Sequence, residues 1–308
     1  MDAASWRVRP FFSLPACPAG NQERPMDAFK IGQFAVTRVV EEDTPTSLRF
    51  LWSHVTRESI APHLSWLAPH FYLPDINRIR MNIQTYVVRT PRHVILVDTC
   101  LGNDKQRDYP GWNLRHGPFL ENLARAGVRP DEVDTVFCTH LHVDHVGWNT
   151  RWEGGRWVPT FPKAQYLFAR PEYEYWSRQE QGEASRIFLD SVKPVVDAGL
   201  SRLVEPDFAI EDGVRLEPTP GHTPGHCSLH LSSGGQEAVI TGDMMHHPLQ
   251  IAEPEWSSNF DVDAAQGIRT RREFCGRYAD RDVLILGTHF AGPALRIVDR
   301  KGRWAVRV

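Results

Sequence analysis

Residues 139–149 read THLHVDHVGWN, placing three histidines and an aspartate within positions 140–145 and closing them with Gly147. Side chains alternate along extended backbone, so His140 and His142 point the same way and can hold one cation. Asp144 and His145 lie just beyond and turn toward a second position, while Gly147 lets the chain bend there. Three imidazoles and a carboxylate crowded together without a common partner would be costly to bury, and a metal is the partner that suits them. The apolar run DTVFCT at 134–139 leads straight into the cluster, which predicts a loop at the carboxyl end of a strand.

Working outward, the chain offers three more candidates, each at or just after a predicted strand end: His222 in TPGH, Asp243 in ITGD and His289 in LGTH. Singly these are ordinary loop text; the cluster makes them credible. The stretch FKIGQFAVTRVVEED reads as strand, and MNIQTYVVRT and HVILVDTC as two strands joined by a turn at 90–92, the second ending on Asp98. Helical periodicity covers GPFLENLARAG, RPEYEYWSRQE, EASRIFLDSVKPVVDAG and DVDAAQGIRTRREFCGRYA. Residues 51–80 are rich in aromatics, histidine and proline, the text of an irregular lid. Trp52, Trp66, Phe71 and Tyr72 there either line an apolar substrate mouth or, as aromatic residues usually do, belong to the core. His54, His63 and His70 in the same segment show no ligand spacing. His226 is expected either behind the metal-holding groups or on the surface, and His230 on the surface.

A formal charge of −3 over 308 residues gives no basic surface, so neither nucleic acid nor an anionic membrane is indicated as a partner. The five cysteines, Cys17, Cys100, Cys138, Cys227 and Cys275, are scattered and form no CxxC pair. That argues against a disulfide framework and against a cysteine zinc site, and fits a reducing cytoplasm. No apolar run approaches the ~18 residues of a membrane span, and PFFSLPACPAG is short and proline-broken for a signal segment. The expectation is a soluble, cytoplasmic protein with a flexible N-terminal arm at 1–28, in which Met26 is an alternative start, and one domain over 29–308. A homodimer is compatible with all of this.

HLHVDH at 140–145, TPGHTPGH at 219–226, TGD at 241–243 and GTH at 287–289 together resemble the metallo-β-lactamase fold hydrolase superfamily, in order and rough spacing from about residue 33 onward. The resemblance implies an α/β protein, an αββα four-layer sandwich with a binuclear metal site at one edge. Carried over motif by motif, His140, His142 and His222 would hold the first metal and Asp144, His145 and His289 the second. Asp243 would bridge both, and Asp98 in LVDT would support a metal-holding group from behind. Two divalent ions are implied, zinc first, with manganese, iron or cobalt also suited to these donors.

Branch-specific departures narrow the function the resemblance implies. True β-lactamases of the best-known branch lack the histidine at the end of the cluster and carry cysteine where Asp243 stands, which disfavours antibiotic hydrolysis. The basic character of a transfer-RNA processing enzyme is missing, and a flavin-partnered reductase would need a further domain. TPGHTPGHCS and the residues after Asp243 are most similar to N-acyl homoserine lactonases and methyl-parathion-hydrolase-like enzymes. FDVDAAQGIRTRREF and LGTHFAGPALRIV lean toward the latter. Lactonases carry a tyrosine three residues after the bridging aspartate; here that place is His246, which with Asp144 is a candidate catalytic residue. The implied reaction is attack of hydroxide, from a shared water whose pKa two cations lower to about 7, on a small hydrophobic ester or lactone. Phosphotriester or thioester hydrolysis at the same site, and mononuclear iron chemistry of the persulfide-dioxygenase kind, are the alternatives.

Overall fold

A computed structural model describes residues 27–308. The expected arm therefore lies outside the described residues except for its last two positions, and Ala28 already opens the first strand. An eight-stranded sheet runs in the order Ala28–Ile31, Phe34–Ser47, Arg78–Arg89, Val94–Val97, Thr135–Phe137, Gln165–Ala169, Ser201–Val204, with Tyr72–Leu73 pairing onto Arg78–Arg89. It is antiparallel as far as Val94–Val97 and parallel beyond it. The second sheet is five-stranded, in the order Ala209–Glu211, Val214–Pro218, Cys227–Ser233, Gln236–Ile240, Val283–Leu286. The strands expected from the sequence are present; the hairpins Thr150–Glu153/Arg156–Pro159 and Arg296–Asp299/Trp304–Arg307 were not expected.

Alternation along the strands explains the layering. Ile95 and Val97 face the second sheet, where they pack with Val214, Leu229, Ala238 and Leu286. Leu96 between them faces outward, into a cluster that includes Phe119 and Leu123 of the helix Phe119–Arg125. The second sheet repeats the pattern: Ala238 and Ile240 look inward, while Val239, Val283 and Ile285 meet Phe274, Cys275 and Tyr278 of the helix Ala264–Tyr278. Asp263 starts that helix by accepting the Gln266 N–H at 2.9 Å. Helices, sheet, sheet and helices stack in turn, which is the αββα sandwich the resemblance implies. No helix among the described residues is long and apolar enough to cross a membrane.

The segment 51–80 departs from its reading as a lid. It forms short helices, Arg57–Ile60 and Leu64–Leu67, and its large side chains fill the outer core of the second sheet. Trp52, Phe71 and Tyr72 are buried to 1% exposure or less, so they pack instead of lining an open mouth, and Trp66 is the one half-exposed member. Trp52 and Phe71 meet buried His247 edge-on, and its Nε2–H donates to the Phe71 carbonyl at 2.9 Å.

Candidate metal centre

The candidate residues sit on the loops that follow strand ends. Asp98 comes directly after Val94–Val97, and His140 and His142 follow Thr135–Phe137. His145 lies in the short helix Val143–Val146, and His222 in the turn between Val214–Pro218 and Cys227–Ser233. Asp243 follows Gln236–Ile240 and His289 follows Val283–Leu286. Gly147 has an ordinary helical φ of −58°, so the bend there needs no glycine. What needs it is close approach: a Cβ would lie 1.9 Å from the Leu101 carbonyl carbon. Backbone hydrogen bonds from Thr99 N to His145 O and from Gly147 N to Cys100 O, both 2.7 Å, knit the two loops there.

Each of four histidines has its outer N–H committed to a fixed oxygen. His145 Nδ1 donates to Asp98 Oδ2 at 2.9 Å, His289 Nδ1 to the Asn82 carbonyl at 2.7 Å, and His222 Nδ1 to Asp261 Oδ1 at 3.0 Å. The Thr139 hydroxyl donates to Asp98, so it accepts from His140 Nδ1 at 3.1 Å. All four Nε2 atoms are therefore lone-pair acceptors, and all four face the same centre. His140 Nε2 and His222 Nε2 lie 3.0 and 2.9 Å from His142 Nδ1. Asp243 Oδ2 lies 3.3 Å from His145 Nε2, and its Oδ1 3.1 Å from His289 Nε2. Asp144 stands at the open side, 3.6 Å from His145 Nε2 and 3.5 Å from His289 Nε2.

Acceptors that face acceptors repel unless a cation lies between them. His145 Nε2 and Asp243 Oδ1 are buried with no aligned hydrogen-bond partner, which is what a missing positive centre leaves behind. Burial, then the neighbouring imidazoles, holds His140 and His142 well below the usual imidazole range, so both are neutral and ready to donate a lone pair. The donor set thus fits divalent metal. His140, His142 and His222 could hold one cation and Asp144, His145 and His289 another, with Asp243 within reach of both groups.

Asp98 fills its expected place behind the site, in a left-handed conformation (φ 62°) that aims one oxygen at Thr139 and the other at His145. His226 accepts the Asp243 N–H on Nε2 at 2.9 Å while Nδ1 meets Thr219 Oγ1 at 2.9 Å. Burial pushes its pKa down to about 3, which keeps that Nε2 an acceptor. His230 is buried, at 8% exposure, instead of lying on the surface, and its Nε2 pairs with Glu237 at 3.1 Å. Two carboxylates escaped sequence reasoning. Buried Glu172 accepts Leu141 N–H at 3.0 Å and Trp176 Nε1–H at 2.6 Å on one oxygen and Gly225 N–H at 2.9 Å on the other, tying the two histidine loops together. Asp261 grips His222. Nothing local distinguishes either residue from a solvated acidic side chain.

His246 is 3% exposed, and its Nε2 lies 3.2 Å from Asp243 Oδ2. Its ring stacks parallel to that of His289 at 5.8 Å. Its neighbours leave Nδ1 without a hydrogen-bond partner among the described residues.

The sequence profile of the Metallo-beta-lactamase superfamily matches residues 79–287. An N-acyl homoserine lactonase of Bacillus cereus is 27% identical over 179 residues, covering 53% of this chain and 64% of that protein. The chain thus spans a little under two thirds of that relative's length. Among solved structures, the hydrolase AbOPH of the beta lactamase superfamily superposes with a TM-score of 0.76 at 22% identity, covering 93% of this chain and 98% of that one. AidC, a dizinc quorum-quenching lactonase solved with a product, gives 0.74 at 19% identity over 92% and 96%. At these identities the two structures speak for the fold.

Proposed function

Because this chain belongs to the metallo-beta-lactamase superfamily, we propose that it is a dinuclear metal-dependent hydrolase that opens a small hydrophobic lactone, with N-acyl homoserine lactones as the substrate class. The observation that carries the reading is the convergence of His140, His142 and His222 on one side and Asp144, His145 and His289 on the other, around Asp243. The lactonase name of the Bacillus cereus relative supports the substrate class.

Two divalent cations, when bound, supply Lewis acidity to a carbonyl and make water acidic near neutrality. The chain's own residues do the rest. Asp98 and the Asn82 carbonyl fix the ring orientations of His145 and His289. His246 presents an imidazole N–H beside Asp243, where it can donate to the substrate carbonyl oxygen as charge builds on it. Asp144, at 14% side-chain exposure against 4% for Asp243, is the carboxylate of the centre most open to solvent. It takes the proton of the attacking water and returns it to the ring oxygen when the carbonyl–oxygen bond breaks. The products are the open-chain alcohol and a carboxylic acid, which ionises to the carboxylate and releases one proton to solvent.

We assign the acyl-chain contact to an exposed aromatic group, Phe50, Tyr109 and Phe260, instead of residues 51–80. Their rings meet at 6.1 Å (Phe50–Tyr109) and 5.1 Å (Phe50–Phe260), and Tyr109 and Phe260 remain 47% and 42% exposed. Phe260 directly precedes Asp261, whose carboxylate accepts from His222. Phe260→Ala should lower kcat/KM for long acyl chains by roughly tenfold, about 1.4 kcal/mol, and leave short chains nearly unchanged. An unaltered long-to-short ratio would remove Phe260 from substrate recognition.

The function itself is tested by metal analysis together with a pH-stat assay over lactones, aryl esters, thioesters and phosphotriesters. Two cations per chain and acid release from N-acyl homoserine lactones, abolished by a chelator and restored by metal, are expected. Turnover of another class with no lactone opening would replace the lactonase reading. One iron with oxygen uptake would replace hydrolysis altogether.

A further inference from the structure

The loop 257–263 makes a grip on one histidine that the reaction just described does not require. Asp261 has a side chain with no exposure, and its Oδ1 takes the His222 Nδ1–H at 3.0 Å. Its Oδ2 accepts the Ser258 N–H at 3.1 Å and faces Arg271 Nη1 at 3.3 Å. Arg271 is itself fully buried, at 0% exposure. Its Nε donates to the Pro254 carbonyl and its Nη2 to Ser257 Oγ, both at 2.9 Å, so the guanidinium cannot swing away from Asp261. Main chain doubles the contact: Val262 N donates to His222 O and Asp263 N to Gly221 O, both at 2.9 Å. Gly221, at φ +136°, lets this turn come so near the helix Ala264–Tyr278 that a Cβ would lie 2.3 Å from Gly267 N.

We propose that Asp261, locked by Arg271, is a positioning residue for His222 and sets the affinity of the cation position that His222 shares with His140 and His142. The proposal rests on the dinuclear reading above. A carboxylate on Nδ1–H keeps the proton on that nitrogen, turns the ring so that Nε2 faces His142 and the centre, and makes Nε2 a stronger donor to a cation. His145 receives the equivalent help from Asp98 on the other side of Asp243, so each half of the centre has one carboxylate-backed histidine. His140 leans on a hydroxyl and His289 on a carbonyl, both weaker anchors than a charge.

The test removes the charge behind His222 and reads metal binding alone. Asp261→Asn leaves Arg271 buried without its partner and risks the fold, so Asp261→Asn/Arg271→Gln, which removes both charges, is the decisive variant. Stepwise cobalt titration and chelator competition on the full chain count the cations and their affinities. Melting temperatures with and without metal separate a general loss of stability, which moves both, from a loss of binding, which moves only their difference. The expected result is one cation held as in the parent and one held roughly tenfold or more weakly. The cobalt absorption bands lost should be those lost in His222→Ala. Two cations at parent affinity would overturn the proposal, as would loss of both cations or an equal drop in melting temperature with and without metal. Lactone turnover plays no part in this readout. A parent that binds fewer than two cations would sink the dinuclear reading, and this inference with it.

Discussion

Asp243→Ala should lose metal and activity together, with turnover falling on the order of a thousandfold or more, upward of ~4 kcal/mol of transition-state stabilisation. Within the site its carboxylate approaches both groups of donors, His145 and His289 at 3.3 and 3.1 Å and His222 at 3.6 Å. Without that negative bridge, two cations held only by neutral imidazoles and Asp144 repel each other at close range. Alanine also frees the neighbours, since His246 faces the same carboxylate. Elemental analysis and lactone turnover check the expectation side by side. A variant that keeps two tightly held cations and full turnover would overturn the dinuclear assignment.

His246→Phe comes next, because it keeps a ring against His289 and removes the imidazole nitrogen beside Asp243. If His246 donates to the developing oxyanion, kcat should fall tenfold to a hundredfold, ~1.4 to 3 kcal/mol, with metal content and KM little changed. Full kcat would sink the role. Loss of metal would make His246 a ligand or its direct support, which its 3.2 Å approach to Asp243 makes a concrete alternative outcome. The burial of His246 argues against an exposed loop histidine.

How legible each residue was follows from how local its signal is. His140, His142, Asp144 and His145 announce themselves because four donors share six positions, and the strands around them alternate cleanly between two cores. His222, Asp243 and His289 are readable only once that cluster is known. Glu172 and Asp261 act across gaps of 31 to 53 residues and of 39 residues, and no spacing rule reports a contact of that kind. Residues 51–80 misled for a different reason. Aromatic, proline-broken text serves a lid and a core plug equally well, and only burial tells them apart. The Phe50–Tyr109–Phe260 group was missed because its rings come together solely through the fold.

The donors divide between the two sheets: Asp144 and the histidines up to 145 follow strands of the first, while His222, Asp243 and His289 follow strands of the second. Neither half of the chain owns a complete coordination sphere. Cations seated there would work as rivets across the seam, closing only after both sheets have docked and holding that edge shut afterwards. Completing either coordination sphere would therefore wait on the docking of the two sheets, and removing the cations would loosen the sandwich first along that edge.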